Sequence, residues 1–311
     1  MKNITVIGLG TIGHSVAQVF ATGKCTVKCF DPKMEARETA IPRMRSNLEQ
    51  MSAAGIIKPD QIDGIISRLA ICDSLAKALE DTEFVSEAAV EDLAIKQELF
   101  ANLETMVAPE TILASNTSSY PMSQISERME HRQRALVTHP FNPPHLLPVI
   151  EVVPTAKTSE SVVDSTMELL QQMGKQPVRL RKEIPGFLIN RIQTAMVREV
   201  WDLLDQDVAS AEDIDTAVRG SLGFRLAAIG PLEVCDFAGL DIWARVFSNL
   251  SEDIRSNTDL PAGIQKLVDS GQYGVKTGRG FFDYSEPGRL EDRKTKRDQS
   301  FLQILKLFHT T

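Results

Sequence analysis

The chain has few cysteines and no apolar run long enough to cross a membrane. Its four cysteines (Cys25, Cys29, Cys72 and Cys235) are too few and too scattered for a disulfide framework, so we expect buried free thiols. No His or Cys pair completes a metal site beside them. No apolar run reaches about 18 residues, and the first predicted strand begins too early to leave room for a signal peptide. A disulfide scaffold and a membrane protein are therefore excluded, and a cytoplasmic location is predicted.

Positive charge is also in short supply. The chain has 34 Lys and Arg against 42 Asp and Glu, a formal net charge of −8 at pH 7. This balance argues against nucleic acid as the main partner, while a local basic pocket for a phosphorylated small-molecule ligand stays open. The 42% of hydrophobic residues are typical of a globular protein, and 311 residues are enough for two domains.

The chain does contain a glycine-rich turn directly after an apolar strand near its start. Ile4–Ile7 leads into Gly8-Leu9-Gly10-Thr11-Ile12-Gly13, which has the pattern G-x-G-x-x-G. In such a motif the first glycine permits the tight turn, the second lets a pyrophosphate approach the backbone, and the third lets the helix pack on the sheet. The helix N-terminus then faces the phosphates. The motif predicts a dinucleotide site that includes Gly8, Gly10, Thr11, Ile12 and Gly13.

The end of the second predicted strand indicates which dinucleotide is bound. This strand ends at Asp31, which lies 18 positions beyond Gly13, close to the spacing of about 20 expected for the acid that binds the adenosine ribose. A carboxylate there accepts hydrogen bonds from both ribose hydroxyls and repels a 2′-phosphate. NAD is therefore predicted as the cofactor, and Lys33 is the one nearby residue that would favour NADP.

Short apolar strands alternate with helices over the first 180 residues or so. This alternation predicts an α/β fold, a Rossmann-type doubly wound parallel sheet, in a domain spanning residues 1–182. After the first two strands, further strands are predicted at Leu69–Cys72, Phe84–Ser86, Thr111–Ser115, Ala135–His139, Val149–Val153 and Val178–Leu180. Helices are predicted at Met34–Ala54, Pro59–Arg68, Leu93–Met106 and Ser159–Met173.

The alternation stops near Lys182, and residues 183–311 are predicted to form an all-helical second domain. A long helix follows Pro185-Gly186 and runs to about Asp205. Ser210 is placed to cap the next helix, and Pro231 to begin another. The last 25 residues or so carry charges followed by apolar residues, which predicts an amphipathic helix that docks on its own chain or on a partner.

Two residues of the first domain have the chemistry of an acid/base pair. His139 ends a predicted strand at the carboxyl edge of the sheet, where ligands bind in open α/β folds, although position alone fits a structural histidine equally well. Glu151 is an acid inside an otherwise apolar strand, where an unpaired carboxylate is costly. Paired with His139 it would fix the imidazole tautomer and favour the imidazolium. The alternative is an edge-strand glutamate that points into water.

A polar run, Ser115-Asn116-Thr117-Ser118-Ser119, follows the strand before His139. Such groups at a strand's carboxyl end can bind a nicotinamide or a substrate hydroxyl, or they can form an ordinary polar loop.

Taken together, these motifs resemble the L-3-hydroxyacyl-CoA dehydrogenase family over nearly the whole chain. The motifs that carry the resemblance are Gly8–Gly13 with Asp31, Glu87–Asp92, Ser115–Ser119, His139–Pro143 with Glu151, Pro185–Arg191 and Gly274–Phe282. The resemblance implies an NAD-dependent oxidoreductase of fatty acid metabolism whose helical domain forms a homodimer.

The resemblance also implies roles for individual residues. His139 would be the general acid/base and Glu151 its orienting partner. Ser118 and Asn190 would bind the reacting oxygen. The residues implied near the nicotinamide and its ribose are Glu91, Lys96, Asn116 and Asn142.

The substrate remains open between two classes. Gly223–Pro231, with Arg225 inside it, is similar to the lambda-crystallin and L-gulonate 3-dehydrogenase branch, and Arg225 would pair with the carboxylate of a free 3-hydroxy acid. Tyr273–Phe282 is instead of the acyl-CoA type. The leading hypothesis is interconversion of a 3-hydroxyacyl-CoA and its 3-oxoacyl-CoA, the second is a dehydrogenase of a free 3-hydroxy acid such as L-gulonate, and a remote third is a non-catalytic crystallin-like protein.

Overall fold

Two compact units make up the described chain. The computed structural model describes residues 1–308. Contacts group Met1–Ile189 with the described part of Asp298–Thr311 in the first unit, and Asn190–Arg297 in the second. The first unit thus extends beyond residue 182, and the domain boundary at residues 182 and 183 stays a prediction.

The first unit contains an eight-stranded sheet within the described residues, in the order β3-β2-β1-β4-β5-β6-β7-β8. The strands are β1 (Asn3–Ile7), β2 (Thr26–Phe30), β3 (Leu69–Ile71), β4 (Phe84–Glu87), β5 (Ile112–Ser115), β6 (Ala135–Pro140), β7 (Val149–Pro154) and β8 (Gln176–Arg179). The order reverses between β1 and β4, so the carboxyl ends of these strands flank the crevice where doubly wound folds bind ligands. The Rossmann-type architecture is confirmed.

Two strands, β7 and β8, run against the expectation of a wholly parallel sheet, because β8 pairs parallel with β7. β7 pairs antiparallel with β6, and this register places His139 directly opposite Glu151. Only the eight residues 141–148 connect the two strands, whereas a parallel crossover needs a dozen or more. The short connection therefore forces the antiparallel pairing, and it also makes the two residues cross-strand neighbours.

Helices cover both faces of the sheet. In the first unit they are α1 (Gly13–Thr22), α2 (Met34–Ala53), α3 (Gln61–Ile66), α4 (Leu75–Leu79), α5 (Leu93–Met106), α6 (Met122–Ile125) and α7 (Glu160–Gln172). One buried apolar cluster joins α1, α2 and α7 to the sheet, and a second joins α5 and α6 to it. The helix predicted at Pro59–Arg68 is shorter, because a turn from Lys58 occupies its first residues.

The second unit is helical, as predicted. Its helices are α8 (Ile189–Asp205), α9 (Ala211–Val218), α10 (Phe224–Leu226), α11 (Pro231–Ala238), α12 (Leu240–Leu250), α13 (Ala262–Asp269) and the start of α14 (Arg289–Phe308). Ser210 caps α9 by accepting the Asp213 N–H, and Pro231 is the first residue of α11. A π-helical turn, Arg219–Gly223, carries the chain directly from α9 into α10, so Arg225 lies in a helix.

The last part of α14 packs on the first unit, which confirms an amphipathic helix docked on its own chain. Leu302 and Leu305 are buried, and Leu302 lies in an apolar cluster with Met51 and Leu146.

The four cysteines are free thiols, but Cys72 and Cys235 are only partly buried. Within residues 1–308, no helix combines the length and apolar character needed to span a bilayer.

Candidate active site

The glycine-rich loop after β1 has the backbone that its motif requires. Gly8 adopts a φ of +89°, and a Cβ on it would lie 2.4 Å from the Ala88 carbonyl oxygen. A Cβ on Gly13 would lie 1.8 Å from the Gly8 carbonyl oxygen, so the start of α1 can pack here only without a side chain. A Cβ on Gly10 would meet nothing within 4 Å, which leaves open space beside the backbone for a pyrophosphate. The loop fits a dinucleotide.

Asp31 stands beside this loop, at the carboxyl end of β2. Its Oδ2 accepts the Leu9 N–H at 2.7 Å and its Oδ1 accepts the Lys33 N–H at 2.8 Å. Each carboxylate oxygen keeps a second lone pair, which is the acceptor that a ribose hydroxyl needs. Asp31 therefore contacts Lys33 through the backbone N–H of Lys33 and not through its ammonium group.

Arg43 is a contact of the nucleotide loop that the sequence analysis missed. From α2 its guanidinium donates to the carbonyl oxygens of Leu9 at 2.6 Å and Gly10 at 3.2 Å. It also lies 3.2 Å from Nδ1 of His14, and burial together with this positive charge lowers the pKa of His14. A cation twelve residues beyond Asp31 thus partly offsets the carboxylate at this end of the site.

Replacing Asp31 with alanine should weaken NADH binding by roughly 10- to 100-fold, because charge-assisted hydrogen bonds to the ribose are lost. NADPH binding should weaken less or improve, since the repulsion of its 2′-phosphate disappears while Arg43 remains. The ratio of the two affinities, from fluorescence titration, is the readout, because damage to the loop lowers both. In D31A/R43M the relative gain for NADPH should vanish, and an unmutated protein that prefers NADPH would contradict the assignment.

His139 and Glu151 form a buried pair at the carboxyl end of β6. Nδ1 of His139 lies 2.6 Å from Oε2 of Glu151, whose side chain is 0% exposed. An ionised carboxylate only accepts, so Nδ1 carries the hydrogen and Nε2 is left as the basic nitrogen. The alternative of an edge-strand glutamate that points into water is wrong, because β7 lies between β6 and β8 and is not an edge strand.

Two aromatic rings enclose the imidazole of His139. Phe141 meets it edge-on with ring centroids 4.7 Å apart, and Phe187 lies at 5.5 Å. Phe187 adopts a φ of +50°, a conformation that a bulky side chain rarely takes and that clusters at functional sites. The next two backbone N–H groups, those of Leu188 and Ile189, both donate to Oε1 of Glu151 at 2.9 Å. Glu151 therefore orients the histidine and the start of α8 at once.

The polar loop after β5 is held by a glutamate. Oε1 of Glu91 accepts the Thr117 hydroxyl at 2.5 Å and the N–H groups of Ser118 and Ser119 at 3.2 and 3.1 Å. Partial burial raises the pKa of Glu91, but the Thr117 bond and the charge of Lys96 outweigh it and hold the pKa below its usual value. The carboxylate stays ionised and fixes the exposed Ser118 at the edge of the sheet.

Lys96 is buried among carboxylates. Its ammonium lies 2.7 Å from Oε1 of Glu87 and 3.3 Å from Oε2 of Glu91, and its side chain is 1% exposed. Glu87, which the resemblance marked only as part of a motif, also accepts the Ser115 hydroxyl at 2.6 Å. Lys96 thus acts on the loop through two glutamates, and its predicted place beside the nicotinamide ribose stays a prediction.

Four further predicted residues lie at four separate positions. Asn116 follows β5, and its side-chain amide donates to the Ser86 hydroxyl and the Glu87 carbonyl oxygen, both at 2.8 Å. Asn142 is exposed three residues after His139. Asn190 is the second residue of α8 and the first of the second unit. Arg225 belongs to the second unit and is exposed. Their roles stay predictions.

The fold and the site together define a class. The chain has a doubly wound sheet with a dinucleotide loop, an acidic residue at the end of β2 and a histidine at the carboxyl edge. This combination is typical of a nicotinamide-dependent dehydrogenase. Residues 3–184 match the family model "3-hydroxyacyl-CoA dehydrogenase, NAD binding domain", and residues 186–284 match its C-terminal domain. The chain belongs to the 3-hydroxyacyl-CoA dehydrogenase family. It is an NAD-dependent oxidoreductase that acts on CH–OH groups.

Relatives with different substrates resemble the chain. The 5-formyl-3-hydroxy-2-methylpyridine 4-carboxylate 5-dehydrogenase of Mesorhizobium japonicum is 30% identical over 99% of this chain and 98% of its own. The lambda-crystallin homolog of Rattus norvegicus is 34% identical over 98% and 96%. A probable 3-hydroxybutyryl-CoA dehydrogenase of Bacillus subtilis (strain 168) is 33% identical over 92% and 98%.

A solved structure matches nearly the whole chain. The crystal structure of a 5-formyl-3-hydroxy-2-methylpyridine 4-carboxylic acid 5-dehydrogenase, described as an NAD⁺-dependent dismutase, has a TM-score of 0.92 at 30% identity, over 99% of both chains.

Proposed function

We propose that the chain oxidises the hydroxyl group of a small hydroxy acid with His139 as the general base. The observation that carries this proposal is the His139–Glu151 pair at the sheet edge that also bears the dinucleotide loop. NAD, when bound, accepts the hydride that leaves the hydroxyl carbon. The chain's own residues carry out the proton transfer and bind the reacting oxygen.

Each of those residues has a physical task in the proposed reaction. Nε2 of His139 takes the hydroxyl proton, and the Glu151 carboxylate stabilises the imidazolium that forms. The rings of Phe141 and Phe187 keep water from the imidazole and strengthen the ion pair. Ser118, held by Glu91, supplies a hydrogen bond to the reacting oxygen. In the reverse direction the imidazolium returns the proton to a carbonyl oxygen.

A free carboxylic acid is the substrate class that we favour over a CoA thioester. The support is the similarity over the whole chain to an enzyme named for a pyridine carboxylate, with its TM-score of 0.92. Arg225 adds to this support, because within residues 1–308 its exposed guanidinium has no ion-pair partner. A guanidinium can form a two-pronged pair with a substrate carboxylate. A 3-hydroxyacyl-CoA is the second candidate, favoured by the acyl-CoA-type segment Tyr273–Phe282 and by the Bacillus subtilis relative.

Replacing Arg225 with methionine separates the two substrate classes. For a free acid it should cost roughly 2–5 kcal/mol of transition-state binding, about 30- to 5000-fold in kcat/KM, because a carboxylate loses its partner. For a CoA thioester the loss should be far smaller. NADH production from L-gulonate, 3-hydroxybutyrate and 3-hydroxybutyryl-CoA is measured for the variant and for a matched control, Arg219→Met. Equal small losses on all three compounds would remove Arg225 from the site.

We also propose that the chain forms a homodimer through its second unit. The support is the number of large apolar side chains exposed there, led by Phe224, Leu232, Phe237 and Phe247 at 70–81%. A monomer rarely leaves so much apolar surface in water. Light scattering should give a mass of twice 34.4 kDa, and a Phe247→Glu variant should shift it toward the monomer. A monomeric unmutated protein would contradict the proposal. The cytoplasmic location stays a prediction.

A further inference from the structure

The residues that follow His139, here called the 141–148 segment, carry Phe141 and the predicted cofactor contact Asn142. Lys175 holds this segment from one side, with its ammonium donating to the carbonyl oxygens of Pro144 at 2.6 Å and Leu147 at 3.0 Å. Burial lowers the pKa of Lys175 to about 8, so an energetic cost accompanies this arrangement.

The C-terminal helix holds the 141–148 segment from another side. Leu146 is 3% exposed and lies in one apolar cluster with Met51 of α2 and Leu302 of α14, and Phe301 packs against the same cluster. The matched family domains end at residue 284, whereas α14 begins at Arg289. The apolar cluster around Leu146 therefore includes a residue of a helix that lies beyond the part of the chain that the family models match.

We propose that α14 is a positioning element of the active site, and that it acts by seating Leu146. When Leu146 is fixed, the 141–148 segment has less freedom to move. Phe141, at the start of the segment, then keeps its edge contact with the imidazole of His139. This inference rests on the proposed role of His139. Leu302 is buried in the apolar cluster with Leu146 and acts through that residue, so it is a positioning residue. Small displacements of groups at a reacting centre are costly in rate, which gives a remote apolar contact a measurable effect on turnover.

Leu302→Ala is the test, with Ile304→Ala as the matched control, since Ile304 is on the same helix and 40% exposed. L302A should lower kcat/KM by about tenfold or more on the best compound of the substrate panel, with NADH affinity within about twofold of the unmutated value. I304A should behave as the unmutated protein, and Leu302→Met, which restores the volume, should recover most of the loss. If L302A does not fold, Leu302→Val should give a smaller loss in the same direction.

Amide hydrogen exchange gives a second readout that is independent of activity. The N–H groups of Leu146 and Leu147 both donate to the Pro143 carbonyl oxygen, and their exchange should quicken in L302A but not in I304A. If exchange quickens in L302A but the unmutated protein has no dehydrogenase activity, the result would support the contact of α14 with Leu146 and would refute only the proposed function. The inference would be overturned if L302A kept the kcat/KM of the unmutated protein, if exchange at Leu146 were unchanged, or if NADH affinity fell as much as kcat/KM.

Discussion

Replacing His139 with glutamine should lower turnover by roughly 10²–10⁴-fold and leave NADH affinity nearly unchanged. Glutamine retains polarity and much of the volume, but it cannot accept and return a proton. His139 is 5% exposed and enclosed by two rings, so water is a poor substitute for the lost base. Steady-state NADH production gives the turnover, and fluorescence titration gives the affinity.

His131→Gln is the matched control for this substitution. His131 is exposed near the start of β6, at the end of the strand opposite His139, and its replacement should leave turnover unchanged. Near-normal turnover in H139Q would remove the base from the mechanism, and an equal loss in H131Q would show that the assay follows folding rather than chemistry.

Replacing Glu151 with glutamine should lower turnover by roughly 10–10³-fold, the second-largest effect that we expect. The imidazolium loses its carboxylate partner, and a neutral amide can present its N–H group to Nδ1 and favour the wrong tautomer. The change also weakens the acceptor for the Leu188 and Ile189 N–H groups, so α8 loses part of its attachment. Turnover and thermal unfolding are measured together, with Glu98→Gln, an exposed position, as the control.

A double variant distinguishes a catalytic pair from two separate defects. If Glu151 acts through His139, then H139Q/E151Q should turn over no more slowly than H139Q alone, because residues that work as a unit are not additive. Fully multiplied losses would mean that Glu151 acts on the reaction by a route other than the imidazole.

Local sequence patterns were enough for much of the fold. Apolar strands bounded by polar turns, the glycine motif and the capping residues Ser210 and Pro231 each depend on neighbours a few residues away, and the structure has these elements near their predicted positions. The direction of β7 was missed although the chain carries the signal, because a connection of eight residues is too short for a parallel crossover.

The residues that the sequence analysis missed around the site depend on long-range contacts. Arg43 reaches Leu9 from 34 positions away. The ring of Phe187, 48 positions beyond His139, packs on its imidazole. An arginine on a polar helix and a phenylalanine after Pro-Gly look the same in sequence whether or not they meet a site.

The most direct test of the whole proposal follows a deuterium atom. The unmutated protein is incubated with NAD and with 3-hydroxybutyrate, L-gulonate or 3-hydroxybutyryl-CoA. Each compound carries deuterium on carbon 3, which bears the hydroxyl group to be oxidised, and the reduced cofactor is analysed by mass spectrometry. We predict deuterium in the reduced cofactor with at least one free acid, at a rate that falls at least about 10²-fold in H139Q. No deuterium transfer from any of the three compounds, or transfer at the same rate in H139Q, would contradict the proposed chemistry.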